Sequence, residues 1–428
     1  MIPILLTIAF LGYFSIIFES SIRINKTITS ILTGSLCWVV YAVFYEGSQA
    51  EISEQLLVHF GEIAGLLIFL LGAMTIVELI DLHKGFSVIT NRIRTKSVLK
   101  LLWIVGLITF VISALLDNLA TAIIMITLLR KLMPKSETRM VLAGIVVIAA
   151  NAGGAFSPIG DITTTLLWIG GQVSALGIGK ALFLPSLMCL LVPLLIASSR
   201  MKGFTILRVQ LSMAEVIKEE KMRGSLSVFL AGVFGLVMVP VIKSVTGLPP
   251  FIGVLIALAF VSLVSIIYHR KKTQEIKDKF SVAYALTKVD VSSILYFMGI
   301  LLLVYVLQDV QILSQLSQFL QQNLPNNQVM IIAIGVLSSI VDNGSLVAAT
   351  QGMFPISEFP IDNSLWEFIA LCAGTGGSML IIGSAAGIAV MEKEKMTFLW
   401  YLKKITPLAI SGYVAGILTY LLISYLGG

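Results

Sequence analysis

Two Asp-Asn pairs, Asp117-Asn118 and Asp342-Asn343, stand inside otherwise apolar stretches. A third carboxylate, Asp161, follows Gly153-Gly154 and leads Thr163-Thr164-Thr165 into Leu166. An ionised, unpaired carboxylate at membrane depth costs about 3 kcal/mol or more. It must therefore bind a cation, pair with a base or take up a proton. No Lys or Arg lies close to any of the three along the chain. A metal cation or a proton is left as the partner, and a group that holds either but not both is the minimal device for exchanging them. A second reading stays open, in which the Asp and Asn residues N-cap returning half-helices. The two roles are compatible.

Asn151, Ser157, Thr375, Ser378 and Ser384 add neutral oxygens at two glycine-rich segments. Hard cations take such ligands. Gly153, Gly154, Gly376 and Gly377 permit either a turn or close helix packing. Pro158 favours a true helix break, because it removes a donor. Glu62 and Glu78, 16 residues apart, would lie about 24 Å apart along a helix. They read either as a proton path, with Asp81 at its exit, or as interface-level carboxylates, and Glu19 reads similarly. His59, His83 and His269 fall near expected membrane boundaries. They suit pH sensing or, more plainly, solvation. Cys37, Cys189 and Cys372 are too scattered for a metal site or disulfide framework.

The elements that carry these residues must be membrane helices. The 428 residues are 57% hydrophobic and 12% charged, against about 45–50% and 25% in a soluble domain. That excludes a soluble enzyme, a disordered chain and a nucleic-acid binder. Runs at 2–18, 27–45, 56–80, 181–199, 225–242, 250–268, 291–307 and 405–426 have the length of spans. No basic residue precedes the first, so it reads as a span rather than a signal peptide. Residues 98–133 and 328–354 are split by the Asp-Asn pairs, and 139–172 and 367–391 by the glycine-rich segments. Each is either a broken crossing helix or a re-entrant hairpin. If the Asp-Asn stretches are hairpins, the glycine-rich stretches cross and the N-terminus is outside, then all but Lys180 and Lys243 of the 29 Lys and Arg residues fall inside. That is the positive-inside rule, so the net charge of +6 marks a membrane face.

The chain also repeats itself. Ser113-Ala-Leu-Leu-Asp-Asn118 matches Ser338-Ser-Ile-Val-Asp-Asn343 at an offset of 225, and Ala150-Asn-Ala-Gly-Gly154 matches Ala373-Gly-Thr-Gly-Gly377 at 223. Each half holds three spans, a hairpin, a broken span and a final span. An odd number of crossings makes the halves inverted. The expected architecture is an all-α polytopic membrane protein with about 10 crossings: a first repeat at 1–199, a cytoplasmic linker at 200–224 and a second repeat at 225–428, with both termini outside. Inverted repeats with broken helices are the plan of secondary transporters, because unwound backbone is tolerated in lipid only where it is buried or lines a cavity.

Leu71–Asp81, Leu116–Ile123, Ala149–Thr165, Asp342–Thr350 and Gly374–Gly387 together resemble the NhaD-type sodium/proton antiporters, part of an ion-transporter superfamily with arsenite, citrate and dicarboxylate carriers. The resemblance runs over most of the chain in order. It implies Na⁺, often also Li⁺, exchanged for H⁺ across a bacterial cytoplasmic membrane, in a homodimer with no cofactor. It implies ion ligands at Asp117, Asn118, Asn151, Ser157, Asp161, Thr163, Asp342, Asn343, Ser345 and Ser384. Ala120, Phe156 and Ser345 stand where the family pattern has Thr, Trp and Pro. None removes a charge, so they bear on selectivity. Two other readings are weaker. Acidic residues at both hairpin tips would repel an organic anion, and the Gly-x-Gly-Asp signature of an intramembrane aspartyl protease is replaced by Pro158-Ile-Gly-Asp161.

Overall fold

A computed structural model describes residues 1–17, 19–87, 95, 97–200, 224–324 and 326–427. The expected linker lies almost wholly outside the described residues, as do the basic residues Arg92, Arg94 and Lys96.

Every regular element among the described residues is a helix. Eight are long and apolar enough to cross a membrane. Seven of these are expected spans, Lys26–Phe44, Gln49–Leu82, Ala175–Arg200, Ser225–Thr246, Pro250–His269, Val291–Asp309 and Thr406–Gly427, and the eighth is Glu137–Ala155; the expected first span is the shorter apolar helix Ile2–Ile17. The span Gln49–Leu82 starts seven residues earlier than the apolar run at 56–80. Ser48 and Glu51 form a reciprocal capping box there, and this satisfies the first free backbone donors. The helix Ile312–Asn323, amphipathic with Leu313 buried and Phe319 exposed, was not anticipated.

The four split stretches are each two helices around a break: Val98–Ser113 with Asn118–Leu132, Asn327–Leu337 with Asn343–Met353, Glu137–Ala155 with Ile162–Ile169, and Ser364–Gly376 with Ala385–Glu394. Glu137–Ala155 is the most enclosed span, with 83% of its apolar window buried against 28% for Pro250–His269. Composition explains the difference. Its small residues, Ala143, Gly144, Ala149, Ala150, Ala152 and Gly153, let neighbouring helices approach from all sides, whereas Pro250–His269 turns Leu255, Ile256, Phe260 and Leu263 outward.

Packing repeats between the halves and crosses between them. Lys26–Phe44 packs on Val291–Asp309, and reciprocally Gln49–Leu82 packs on Pro250–His269. The returning hairpin helix Asn118–Leu132 meets Ala385–Glu394, and Asn343–Met353 meets Ile162–Ile169. The two final spans pair with each other. Ser113 donates to the Ala150 carbonyl at 2.6 Å, and its counterpart Ser338 donates to the Ala373 carbonyl at 2.7 Å. A Cβ on Gly153 would strike the Phe110 carbonyl oxygen, and one on Gly376 would strike that of Gly335. Backbone meets backbone at these two crossings, so only glycine fits. Gly376→Ala is expected to cost about 1–3 kcal/mol, read as a lower melting temperature of the detergent-solubilised protein. Gly61→Ala, facing open space, should leave that temperature unchanged.

Candidate functional site

The breaks bring the sequence-identified residues to one place. Asp161 is 1% exposed and stands before Ile162–Ile169, yet its side chain does not cap that helix. It accepts three side-chain hydrogen bonds instead: from Asn118 Nδ2 at 3.1 Å on Oδ1, and from Asn343 Nδ2 at 3.3 Å and Thr163 Oγ1 at 2.9 Å on Oδ2. One donor thus comes from each hairpin and one from its own helix. Asn118 also donates to Asn151 Oδ1 at 3.1 Å, and Asn151 Nδ2 reaches Ser378 Oγ at 2.9 Å and Ser384 Oγ at 3.1 Å. A single buried polar network therefore joins both hairpins and both breaks.

Asp117 and Asp342 do cap their helices. Asp117 Oδ1 accepts from the Ala120 amide at 2.9 Å, and Asp342 Oδ2 from the Ser345 amide at 3.4 Å. The capping reading holds for these two residues. It fails for Asn118 and Asn343, whose amides turn to Asp161 from the first helical position. Each of these bonds engages one carboxylate oxygen. Asp117, Asn118, Asp161, Asp342 and Asn343 all line one cavity of about 100 Å³, walled by Phe69, Met74, Val77 and Phe297 among others. No Lys or Arg is among its described lining residues. The three aspartates share this wall without converging. Among the described residues, no three His, Cys, Asp or Glu side chains gather as one metal cluster.

Other expected site residues lie off the cavity. Ser157 donates to the Ala114 carbonyl at 2.5 Å, pinning the break to the hairpin turn, and Thr375 returns its hydroxyl to the Leu371 carbonyl at 2.6 Å. Thr164 and Thr165 do comparable work on the Ala155 and Pro158 carbonyls, which the helix break leaves without intrahelical donors. Among the described residues, Ser378 and Ser384 meet the network only through Asn151. Ser345 bonds to Tyr296 at 2.7 Å, a partner the sequence does not announce.

Glu78 has Asp81, Asp117 and Lys288 as its charged neighbours, which places it between the cavity and one end of its helix. Glu62 is not part of this arrangement. It is exposed and accepts from Tyr305 at 2.8 Å, beside a pair formed by His59 and Asp309 at 3.1 Å. The solvated reading of the histidines is corrected for two of them. His83 is 0% and His269 7% exposed, with ring centroids 5.1 Å apart. His83 Nδ1 meets the Leu79 carbonyl at 2.7 Å and Nε2 meets Ser265 Oγ at 3.2 Å, while that hydroxyl also lies 3.0 Å from the Phe280 carbonyl. Packing of the third span against Pro250–His269 encloses both rings.

The halves differ where the network is densest. The position equivalent to Asp161 is Ser384, and the position equivalent to Asn151 is Gly374. A Cβ at Gly374 would sit 3.3 Å from both Asp161 Oδ2 and Thr163 Oγ1. The first half supplies the side chains, and the second supplies room for them.

A family model described as citrate transporter matches residues 13–366. Sodium/proton antiporter 1 of Arabidopsis thaliana is 46% identical over 96% of this chain and 70% of its own length. The Na(+)/H(+) antiporter NhaD of Vibrio cholerae is 32% identical over 97% of this chain and 90% of its own. The crystal structure of the Alcanivorax borkumensis YdaH transporter, reported to have an unusual topology, shares the fold with a TM-score of 0.62 at 11% identity, covering 94% of this chain and 99% of that one.

Proposed function

Since the chain belongs to the NhaD-type sodium/proton antiporter family, within the wider citrate-transporter family, we propose that it exchanges cytoplasmic Na⁺ or Li⁺ for external H⁺ by alternating access. The observation that carries this is Asp161, a buried carboxylate at the wall of a cavity free of described basic residues, held by amides from both hairpins. An organic anion would meet three carboxylates there and no compensating cation, which argues against citrate as cargo despite the name of the wider family.

In the proposed cycle, Asp161 with Asp117 and Asp342 releases protons towards the cytoplasm and takes up Na⁺. Oxygens of Asn118, Asn343, Thr163 and nearby carbonyls complete its shell, in the manner of hard-cation sites. Asn151, Ser378 and Ser384 hold the two breaks in register behind the ion. Glu78, beside Asp117, relays protons on the inner side; Glu62, bonded elsewhere, has no part. The hairpins and breaks move as one unit against the spans Lys26–Phe44, Gln49–Leu82, Pro250–His269 and Val291–Asp309. Outside, protons displace the cation. Because both ions compete for the same carboxylates, the apparent KM for Na⁺ should fall as pH rises.

Several contacts support the inverted topology. Arg139 pairs with Glu394 and Lys404 with Glu137, all assigned inside, while Ser174 bonds Asp362 and His59 bonds Asp309, all assigned outside. A homodimer in a proton-energised membrane, the bacterial cytoplasmic membrane in the NhaD setting, completes the reading; the relatives span plants and bacteria. The test is direct. In everted vesicles or proteoliposomes, adding Na⁺ or Li⁺ should collapse an imposed pH gradient. Citrate movement with no response to Na⁺ would overturn the proposal.

A further inference from the structure

We infer that Tyr296 is a positioning residue for the ion site, holding Asp342 through the Ser345 hydroxyl and thereby setting Na⁺ affinity. The inference rests on the antiport reading. Tyr296 belongs to the span Val291–Asp309, whereas Ser345 and Asp342 belong to the second hairpin. The link therefore crosses from the framework to the unit that carries the ion.

Tyr296 is 1% exposed. A phenol buried so completely needs a hydrogen-bond partner, and the one it finds is Ser345 Oγ at 2.7 Å. Ser345 Oγ in turn lies 3.4 Å from Asp342 Oδ2, the same oxygen that accepts the Ser345 amide. The ring is fixed on two sides, by Phe297 edge-on at 5.3 Å and by the Lys26 ammonium 4.6 Å from its centroid.

Hydrogen counting gives the chain a direction. Ser345 has one hydroxyl hydrogen. When Asp342 is an anion it can only accept, so the Ser345 hydrogen points to it and Tyr296 must donate to Ser345. Donors aligned this way polarise one another and hold the carboxylate as an anion. A cation leaves Asp342 an anion and keeps this order; when Asp342 takes a proton instead, Ser345 is released to turn its hydrogen to Tyr296. The hydroxyl pair thus has two orientations, and the charge state of Asp342 selects between them. Phenylalanine would fill the same space and lose only this connection.

The test uses the purified full chain in proteoliposomes, with Na⁺-dependent collapse of a pH gradient as the readout. Tyr296→Phe and Ser345→Ala are each expected to raise the apparent KM for Na⁺ about 10-fold, the scale of one hydrogen bond to a charged group, with kcat changed less. The double variant should match either single one, because the phenol acts through Ser345. An unchanged KM in Tyr296→Phe, or two effects that multiply in the double variant, would overturn the inference. Should Tyr296→Phe fail to fold, Ser345→Ala cuts the same chain at its other link, and Ser345→Thr, which keeps a hydroxyl, must restore the wild-type KM. A wild-type protein that ignores Na⁺ would instead remove the antiport reading itself.

Discussion

Asp161→Asn is expected to reduce Na⁺-dependent proton movement to about one hundredth of the wild-type rate or less, with the protein still inserted and monodisperse. Removing the carboxylate charge forfeits about 3 kcal/mol of contact with the ion, and each 1.4 kcal/mol is about tenfold. The protein should still fold, since the asparagine oxygen can accept from Asn118 and the Thr163 hydroxyl can rotate to receive the new amide; the Asn343 amide loses its acceptor on Asp161, at a cost of about 1–3 kcal/mol. Asp117→Asn and Asp342→Asn sharpen the comparison. Asparagine is as good an N-cap as aspartate, so these variants keep the helix starts observed at Ala120 and Ser345 while deleting the charge. If both retain full exchange, capping is their whole role and the ion path runs through Asp161 alone. Loss of exchange in folded protein assigns them to the ion chemistry.

Arg139→Met should destabilise the protein by about 3–5 kcal/mol, the usual penalty for stranding one charge of a buried pair. Arg139 and Glu394 meet at 2.9 Å with side chains 8% and 0% exposed. The guanidinium also reaches the Met133 carbonyl at 3.0 Å, so three elements share it. Among the described residues, Glu394 Oε1 has no hydrogen-bond partner, which makes the pair a poorly satisfied one. The double variant Arg139→Met, Glu394→Met is therefore expected to regain wild-type thermal stability or exceed it, in a melting curve of the solubilised protein. A double variant no more stable than the single would show that the arginine matters for its carbonyl contact instead of its charge.

Where charge is scarce, its position is informative, and this made Asp117, Asp161 and Asp342 legible in the sequence. The breaks were legible for a similar reason: glycine pairs and Pro158 in apolar runs have few other uses. Repetition exposed the paired hairpins and breaks, since two motifs at nearly one offset leave little freedom. What stayed hidden depends on contacts between distant segments. Nothing in the local sequence of Tyr296 says that its phenol meets Ser345, 49 residues on. The burial of His83 and His269 depends on how their two spans pack, whereas sequence shows only that each ends an apolar run. Ser157 and Thr375 have the right chemistry for ligands, but rotamer and helix phase direct their hydroxyls to carbonyls. The helix Ile312–Asn323 was missed because its mixed composition, rich in Gln and Ser, reads as a loop beside strongly apolar spans.

Duplication would by default have built the centre twice, with an acid at both equivalent positions. Ser384 stands where the second acid would be, and Gly374 where a second amide would be. Two acids facing each other across the axis would suit an ion of double charge, or force one of them to stay protonated. Asp161 alone among the amides and hydroxyls, with Asp117 and Asp342 on the same cavity wall but not converging on it, matches an ion of single charge. On the proposed reading, the valence of the cargo is decided at the point where the two halves have drifted apart. Ser384→Asp would then be a change of valence preference, towards divalent cations, in a site whose shape is otherwise kept.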